Sequence, residues 1–199
     1  FRVHQWVKNL LLFVPLLAAH LATDFNALLA VIFAFISFSL CASAVYILND
    51  LLDLENDRKH DRKRYRPLAA SQISIPSGIK MIFLLLLASF TLSFSVNDMF
   101  VILVFSYLVT ATFYSLWLKR FVLIDCFTLS LLFTMRIIGG GFAAEISISY
   151  WLLTFSVFIF FSLAFVKRYA ELQLLVRLNK DADYGRGYLI SDASLIQTI

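Results

Sequence analysis

Three carboxylates follow the second apolar segment of the sequence at helical spacing. Asp50, Asp53 and Asp57 fall at positions i, i+3 and i+7, on one side of a continuous helix, whereas Glu55 points away from that side. Like charges this close repel each other, and carboxylates beside an apolar span are costly to desolvate. A hard cation offsets both costs, because Mg²⁺ binds one or two carboxylates together with the phosphate oxygens of a substrate. The spacing therefore predicts Asp50, Asp53 and Asp57 as Mg²⁺ ligands, the alternative being an acidic helix end solvated at the membrane interface.

A run of basic residues follows the carboxylates in the same loop. It comprises Arg58, Lys59, Arg62, Lys63, Arg64 and Arg66 and ends at Pro67, which stops a helix. Arginine and lysine donate charge-assisted hydrogen bonds to phosphate oxygens. Acidic and basic groups in one loop therefore predict a site for a metal-bound diphosphate. A solvated run of charges that only sets the membrane topology is the alternative interpretation.

The composition assigns this chemistry to a membrane protein. Of the 199 residues, 61% are hydrophobic, 21 are Phe and only 15% are charged, and the mean hydropathy is +0.84. A soluble domain of this size cannot bury so much apolar surface, because its core is limited by surface-to-volume scaling. We therefore expect an all-α, polytopic bundle of transmembrane helices, with Cys41 and Cys126 as small buried residues rather than a disulfide.

Six apolar segments alternate with polar loops. They cover residues 6–21, 27–48, 79–95, 100–118, 121–143 and 150–165, and the first is short and contains Pro15. If all six cross the membrane, one side receives every Lys and Arg except Arg136, which is 16 of the 17. The positive-inside rule makes that side cytoplasmic. We therefore expect a multi-pass protein of the inner or plasma membrane, with its charged loops in the cytoplasm, membrane lipids as partners and no nucleic acid.

Charged residues also lie inside or beside the later spans. Lys119 precedes the fifth span, Asp125 and Arg136 lie within it, and Lys167 and Arg168 close the sixth. Ionisable groups within a membrane face the bundle interior or a wet cavity, which makes them functional candidates. Asp125 and Arg136 are 11 residues apart in the sequence. Because this is about 16 Å along a helix, we do not expect the two side chains to pair with each other.

The stretch Asn49-Asp50-x-x-Asp53-x-x-x-Asp57-Arg58 resembles the first aspartate motif of the UbiA prenyltransferase superfamily. Residues 5–9, 63–70 and 114–120 are similar to other motifs of this superfamily, and the resemblance covers essentially residues 1–199. It implies a nine-helix membrane bundle around a central cavity. The sequence would hold about the first six helices, as a single membrane transferase domain truncated at both ends.

The resemblance also implies roles for individual residues. Asp50, Asp53 and Asp57 would hold Mg²⁺ with Asn49 in support, and Asp125 would stand for a second, catalytic aspartate motif. The diphosphate and other substrate groups would be held by basic residues, namely Arg58, Lys63, Arg66, Lys119, Arg136, Lys167 and Arg168.

The second motif distinguishes branches of the superfamily. Its single carboxylate, together with residues 167–172, resembles the decaprenyl-phosphate phosphoribosyltransferase branch, which transfers a phosphoribosyl group from its diphosphate to a polyprenyl phosphate. Residues 185–188 resemble relatives in which a haloacid-dehalogenase-like domain precedes the membrane domain. Transfer of a polyprenyl group from its diphosphate to an aromatic or similar acceptor stays open as the alternative. A transporter or channel whose charges only set topology is the non-enzymatic alternative.

Overall fold

The computed structural model describes residues 3–60 and 63–177, and every regular element in these two ranges is a helix. The α-helices are α1 (Val14–Ala18), α2 (Phe25–Leu52), α3 (Leu54–Lys59), α4 (Ile75–Phe94), α5 (Asp98–Leu116), α6 (Val122–Ala143) and α7 (Tyr150–Arg177). Shorter 3₁₀ segments cover Val3–Phe13, Lys63–Tyr65 and Leu118–Arg120. The prediction of an all-α bundle is confirmed, whereas residues 185–188 lie outside the described ranges.

Five helices, α2 and α4 to α7, are long and apolar enough to cross a membrane. Their bounds agree with five of the predicted segments to within a few residues, except that α7 continues past residue 165 to Arg177. The outer faces of these helices carry large apolar side chains, and Phe83, Leu87 and Phe158 are 72%, 68% and 67% exposed. Lipid tails solvate such side chains, so the exposed surface of the bundle suits a hydrocarbon environment.

The first apolar segment is helical but shorter than the others. Val3–Ala18 has a 3₁₀ helix as far as Phe13 and only then the short helix α1, whose first turn holds Pro15. A 3₁₀ helix rises about 2.0 Å per residue and an α-helix about 1.5 Å, so the 16 residues extend over about 30 Å. The tighter helix therefore makes this segment nearly as long as the hydrocarbon core is thick. The sixth crossing of the membrane stays a prediction.

Helix α2 lies at the centre of the bundle and packs tightly against α4. Ser37 lies at their contact, where its hydroxyl donates to the Ser89 carbonyl at 2.8 Å and lies 2.7 Å from the Ser93 hydroxyl. The Ser89 hydroxyl donates back to the Ser37 carbonyl at 2.8 Å. Small residues permit this close approach of two backbones, and hydroxyl groups then hydrogen-bond across the interface.

The ends of the helices opposite the charged loops are held by capping side chains. Asp24 caps α2 by accepting hydrogen bonds from the amides of Asn26 and Ala27. Asn97 caps α5 through the Phe100 amide and donates to the Phe142 carbonyl at 2.7 Å. Asn97 therefore joins the start of α5 to the end of α6 and fixes the axial register of these two helices.

Helix α6 comes very close to the first segment at Gly140. A Cβ atom placed there would lie 1.9 Å from the Leu12 carbonyl oxygen, so the backbones cannot approach this closely with any other residue. At Gly78, in contrast, a Cβ atom would meet only side-chain methyl groups, of Leu68 at 3.3 Å and of Leu51 at 3.7 and 3.8 Å. The contact at Gly140 thus fixes how near the first segment lies to the centre of the bundle.

Gly140→Ala should destabilise the folded protein. Alanine favours a helix over glycine by about 1 kcal/mol, but an overpacked contact costs about 1–3 kcal/mol, and a backbone oxygen cannot move away by changing a rotamer. We expect a lower midpoint in thermal unfolding of the protein in detergent, followed by far-ultraviolet circular dichroism. Gly78→Ala is the matched control and should change the midpoint little. Equal midpoints for the two variants would contradict the assigned contact.

Candidate active site

A cleft of about 230 Å³ opens at the end of the bundle that carries the charged loops. Its walls come from the first segment, α2, α3, α5, α6, the loop after α3 and the turn between α5 and α6. Its charged and amide side chains are Lys8, Asn49, Asp53, Asn56, Asp57, Lys63, Arg66, Lys119 and Arg136. The structure thus brings Lys8, Lys119 and Arg136, which are distant in the sequence, into one cleft with the charged residues of the loop after α2.

The carboxylates lie where α2 ends and α3 begins. Asp53 interrupts the helix, yet its amide bonds the Asn49 carbonyl at 3.0 Å and its carbonyl accepts from the Asp57 amide at 2.8 Å. Helical hydrogen bonding therefore continues across the break. Asp50 and Asp57 both contact Arg66, whereas Asp53 contacts Lys119.

Arg66 bridges the first and last of these carboxylates. Its Nη1 lies 3.1 Å from Asp50 Oδ1 and 2.5 Å from Asp57 Oδ2, and Asp57 is almost completely buried. Helix-like turns after Pro67 position Arg66, since its carbonyl accepts from the Ala70 amide at 2.8 Å. One guanidinium thus lies between two carboxylates that would otherwise repel each other, and the group of three keeps one net negative charge.

Lys119 neutralises the remaining carboxylate from the other loop. Its Nζ lies 2.7 Å from Asp53 Oδ1 and 2.8 Å from Asp53 Oδ2, and the lysine side chain is largely buried. Lys119 occupies the short 3₁₀ turn between α5 and α6, 66 residues from its partner along the chain. This ion pair fastens the end of α2 to the turn between α5 and α6.

The cleft offers suitable donors to Mg²⁺. Asp53, Asp57, Asn49 and Asn56 all line it, and oxygen atoms are the ligands that Mg²⁺ prefers. Asp50 lines an adjoining cavity of about 220 Å³ that shares Arg66 with the cleft. Within residues 3–60 and 63–177, no three acidic, His or Cys side chains come together as a ready-made metal site. The donor set therefore fits an ion held by one or two carboxylates and completed by the phosphates of a substrate.

The other basic residues of the first loop differ in position. Lys63 lines the cleft, but Arg58 is exposed outside it and donates to the Ala69 carbonyl and the Ser71 hydroxyl at 3.4 Å each. Arg58 holds the following turn in place through these contacts.

Asp125 lies behind the wall of the cleft, in a buried ion pair with Arg168. Arg168 donates to both Asp125 oxygens and to Glu171, and the Tyr114 hydroxyl donates to Asp125 Oδ1 at 2.8 Å. Asp125 is 0% and Arg168 1% exposed. Two residues that the sequence predicted as separate parts of a site are therefore partners across 43 positions, joining α6 to α7, whereas Lys167 lies exposed on α7.

Arg136 lies deep in the cleft among uncharged groups. It donates to the Asn9 side-chain oxygen at 2.9 Å, to the Tyr107 hydroxyl at 3.2 Å and to the Leu132 carbonyl. As expected, Arg136 does not pair with Asp125. The sequence reasoning missed Asn9 and Tyr107, although Asn9 belongs to the first motif that carried the resemblance and is 1% exposed.

Comparison with known proteins gives a family and named relatives. Residues 10–188 match the UbiA prenyltransferase family. An uncharacterized protein of Sinorhizobium fredii is 41% identical over 96% of this chain and 37% of its own length. The nodulation protein NoeC of Azorhizobium caulinodans is 38% identical, over 100% of this chain and 64% of its own length. A decaprenyl-phosphate phosphoribosyltransferase of Mycolicibacterium smegmatis is 37% identical, over 88% of this chain and 57% of its own length.

The chain therefore spans less than two thirds of the length of these relatives. A solved structure has the same fold: a UbiA homologue of Archaeoglobus fulgidus bound to DMAPP and Mg²⁺ aligns with a TM-score of 0.74 at 16% identity. The alignment covers 87% of this chain and 63% of that protein. The prediction of a UbiA-type helix bundle is confirmed by this match.

Removing Arg168 should destabilise the protein far more than removing its neighbour. Arg168→Met leaves Asp125 as a buried charge without its ion-pair partner, which costs about 3–5 kcal/mol. Lys167→Met removes an exposed charge worth about 1 kcal/mol or less. Thermal unfolding in detergent should therefore show a much lower midpoint for Arg168→Met alone. If both variants unfolded together, the ion pair would not be what joins α6 to α7.

Proposed function

Because the chain belongs to the UbiA prenyltransferase family, we propose that it is part of a Mg²⁺-dependent membrane transferase. The group transferred is phosphoribosyl, from phosphoribosyl diphosphate to a polyprenyl phosphate. The observation that carries this proposal is the cleft itself, where Asp53 and Asp57 face Lys63, Lys119 and Arg66. Relatives 34–37% identical and named decaprenyl-phosphate phosphoribosyltransferase support the choice of donor. The charged loops would face the cytoplasm, and an additional upstream domain stays part of the proposal.

The charged residues of the cleft divide into carboxylates that would bind the metal and cations that would bind the diphosphate. Asp53 and Asp57, with Asn49 beside them and Asp50 held through Arg66, would hold Mg²⁺, which neutralises charge on the diphosphate oxygens when bound. Lys63, Lys119 and Arg66 would hold the remaining oxygens. Arg66 and Lys119 now contact carboxylates, so substrate binding would exchange carboxylate oxygens for phosphate oxygens around the same cations.

The reaction needs no general base. The bond between the anomeric carbon and the diphosphate oxygen breaks, and an oxygen of the polyprenyl phosphate forms a bond to that carbon. The acceptor is already an anion, so no proton has to be removed from it. Lys119, Lys63 and Arg66 would stabilise the negative charge that grows on the departing diphosphate. Apolar side chains in the cleft, including Ala111, Leu129 and Phe133, would limit water that could compete with the acceptor.

A second function is transfer of a polyprenyl group to an aromatic or similar acceptor. The Archaeoglobus fulgidus homologue favours it, since that structure is bound to DMAPP together with Mg²⁺. Both reactions begin with loss of diphosphate from a carbon that can bear positive charge, so both would use the same carboxylates and cations.

Donor choice can be measured directly with the full-length protein that contains this chain, purified in detergent with Mg²⁺. With labelled phosphoribosyl diphosphate and polyprenyl phosphate, label should move into the lipid phase as diphosphate is released. Chelation of the metal should stop both. Polyprenyl diphosphate with an aromatic acid should yield no prenylated product. Prenyl transfer without phosphoribosyl transfer would identify a prenyl diphosphate as the donor. If neither donor released diphosphate, the proposal that the protein is an enzyme would be wrong.

The carboxylates can be tested with a matched substitution on the same turn. Asp53→Asn and Asp57→Asn should each lower kcat by about 10²–10³-fold, because each removes a charge that offsets the metal or orients its ligands. Glu55→Gln changes an exposed carboxylate of the same helix outside the cleft and should alter kcat by less than about twofold. The readout is initial rate together with Mg²⁺ affinity. If all three substitutions lowered kcat equally, the proposal that Asp53 and Asp57 act in the reaction while Glu55 does not would be wrong.

A further inference from the structure

Asp125 is a buried carboxylate that lies behind the wall of the cleft. It is 0% exposed, and it is not among the described residues that line the cleft. Both of its oxygens accept hydrogen bonds from Arg168, which is itself buried. A metal ion or substrate in the cleft is therefore out of contact with this carboxylate. An effect of Asp125 on a bound molecule must pass through another side chain.

Tyr114 connects the buried ion pair to the cleft. Its hydroxyl donates to Asp125 Oδ1 at 2.8 Å, while the residue itself lines the cleft together with Ala111 and Lys119. Because the hydroxyl is bonded to a group behind the wall, the aromatic ring is the part that Tyr114 contributes to the wall. Tyr114 belongs to α5, Asp125 to α6 and Arg168 to α7, so three helices determine the orientation of one ring.

The ion pair strengthens this anchor. The carboxylate that accepts the Tyr114 hydroxyl is paired with Arg168, and a hydrogen bond to an ionised acceptor is roughly twice as strong as one between neutral groups. A phenol that donates to a carboxylate also becomes richer in electrons, since neighbouring hydrogen bonds polarise one another. The contact therefore fixes the ring and makes it more attractive to positive charge.

A ring held in this way suits one part of a bound donor. The Tyr114 hydroxyl proton is directed to Asp125, whereas Lys63, Arg66 and Lys119 would contact the diphosphate oxygens. The face of an electron-rich ring attracts positive charge. In the proposed function this charge develops at the carbon whose bond to the diphosphate oxygen breaks. The electron pair of that bond leaves with the diphosphate, and the acceptor supplies the pair for the new bond.

We propose that Asp125 is a positioning residue: locked by Arg168, it holds the ring of Tyr114 beside the reacting carbon. The inference rests on the proposed function and assigns a role in it to an ion pair that touches no substrate. The hydroxyl proton stays between Tyr114 and Asp125, so no proton is transferred. The role is the same for either donor, because each loses diphosphate from a carbon that can bear positive charge.

Two variants remove the anchor in different ways. Tyr114→Phe keeps the ring and removes the hydroxyl. Asp125→Leu combined with Arg168→Met removes the acceptor together with its counter-charge, and replacing both members of a buried ion pair by apolar residues is often neutral for stability. Each variant should lower kcat about tenfold and leave the KM of the donor within about twofold, because the ring would act mainly in the transition state. The measurement is the initial rate of transfer by the full-length protein in detergent with Mg²⁺.

A double-mutant cycle decides whether Asp125 acts through Tyr114. Once the ion pair has been removed, adding Tyr114→Phe should lower kcat by less than about twofold more, since both changes remove the same interaction. Independent roles would instead lower kcat about a hundredfold in the triple variant, and that result would overturn the proposal.

Ser130→Ala is the matched control for weaker packing between α6 and α7. Ser130 is buried, and its hydroxyl donates to the Val157 carbonyl at 2.8 Å, a contact between the same two helices that does not involve Tyr114. In this variant kcat should stay within about twofold of the wild-type value. A fall in kcat as large as that caused by removing the ion pair would mean that helix packing, rather than the ring, controls the rate.

A measurement without turnover separates this inference from the proposed function. In protein labelled with 3-fluorotyrosine, the ¹⁹F resonance that disappears in Tyr114→Phe belongs to Tyr114. It should shift when the ion pair is removed and keep its position in Ser130→Ala. An unchanged resonance without the ion pair, or an unchanged kcat despite a shifted resonance, would contradict the proposal. Absence of transfer by the wild-type protein would contradict the proposed function, and a shifted resonance would still support the positioning of Tyr114 by Asp125.

Discussion

The ion pair between Lys119 and Asp53 is the contact on which the cleft depends. It fastens the end of α2 to the turn between α5 and α6, at 2.7 and 2.8 Å, and so joins two loops that are far apart in the sequence. Hydrophobic burial does not drive helices together in lipid, since the tails are as apolar as the side chains they would replace. Polar contacts therefore determine how the helices are placed along one another. The Asn97 contact with the Phe142 carbonyl does the same at the opposite end.

Three arginines show three different solutions to a positive charge in an apolar bundle. Arg66 at the mouth shares one nitrogen between two carboxylates, Arg168 is enclosed in an ion pair between helices, and Arg136 rests on amide, hydroxyl and ring faces. In the first two arrangements one guanidinium faces two carboxylates of the chain. In the third, neutral and aromatic groups surround a positive charge near the middle of α2. Arginine in this bundle is therefore held either by carboxylates or by neutral groups.

The sequence predicts the parts of this site that depend on residues close together along the chain, and not the contacts between residues on different helices. Helix spacing placed Asp50, Asp53 and Asp57 on one side and Glu55 on another, and in the structure Asp53, Asp57, Lys63 and Arg66 line one cleft while Glu55 is exposed. Their roles in binding Mg²⁺ and diphosphate stay predictions. The ion-pair partners of these residues were not predictable. Because α2 and α6 carry apolar residues on nearly every face, their sequences do not indicate which face meets which neighbouring helix. Asp125 shows the consequence: its partner is 43 residues away on another helix. Two opposite charges inside neighbouring spans are nevertheless a signal that could have suggested the pair.

The position of Asp53 and the conformation of the first segment were not predicted for the same reason. Asp53 lies at the break between α2 and α3 and pairs with Lys119 rather than with Arg66, and no spacing rule foresees this because the helical hydrogen bonds continue on both sides. The 3₁₀ segment Val3–Phe13 likewise meets α6 at Gly140, a tertiary contact that the spacing of residues does not reveal.

The serine contact between α2 and α4 has a consequence for how the protein is made. The hydrogen bonds that Ser37 makes with Ser89 and Ser93 form only when both helices are present, although the Ser93 hydroxyl also donates to the Ser89 carbonyl within α4. Because α2 and α4 enter the bilayer consecutively among the long helices, they can dock as a hairpin before the rest of the chain has been synthesised. The carboxylates and Arg66 lie in the connection between them, so half of the cleft would be assembled during biogenesis, before Lys119 arrives to complete it.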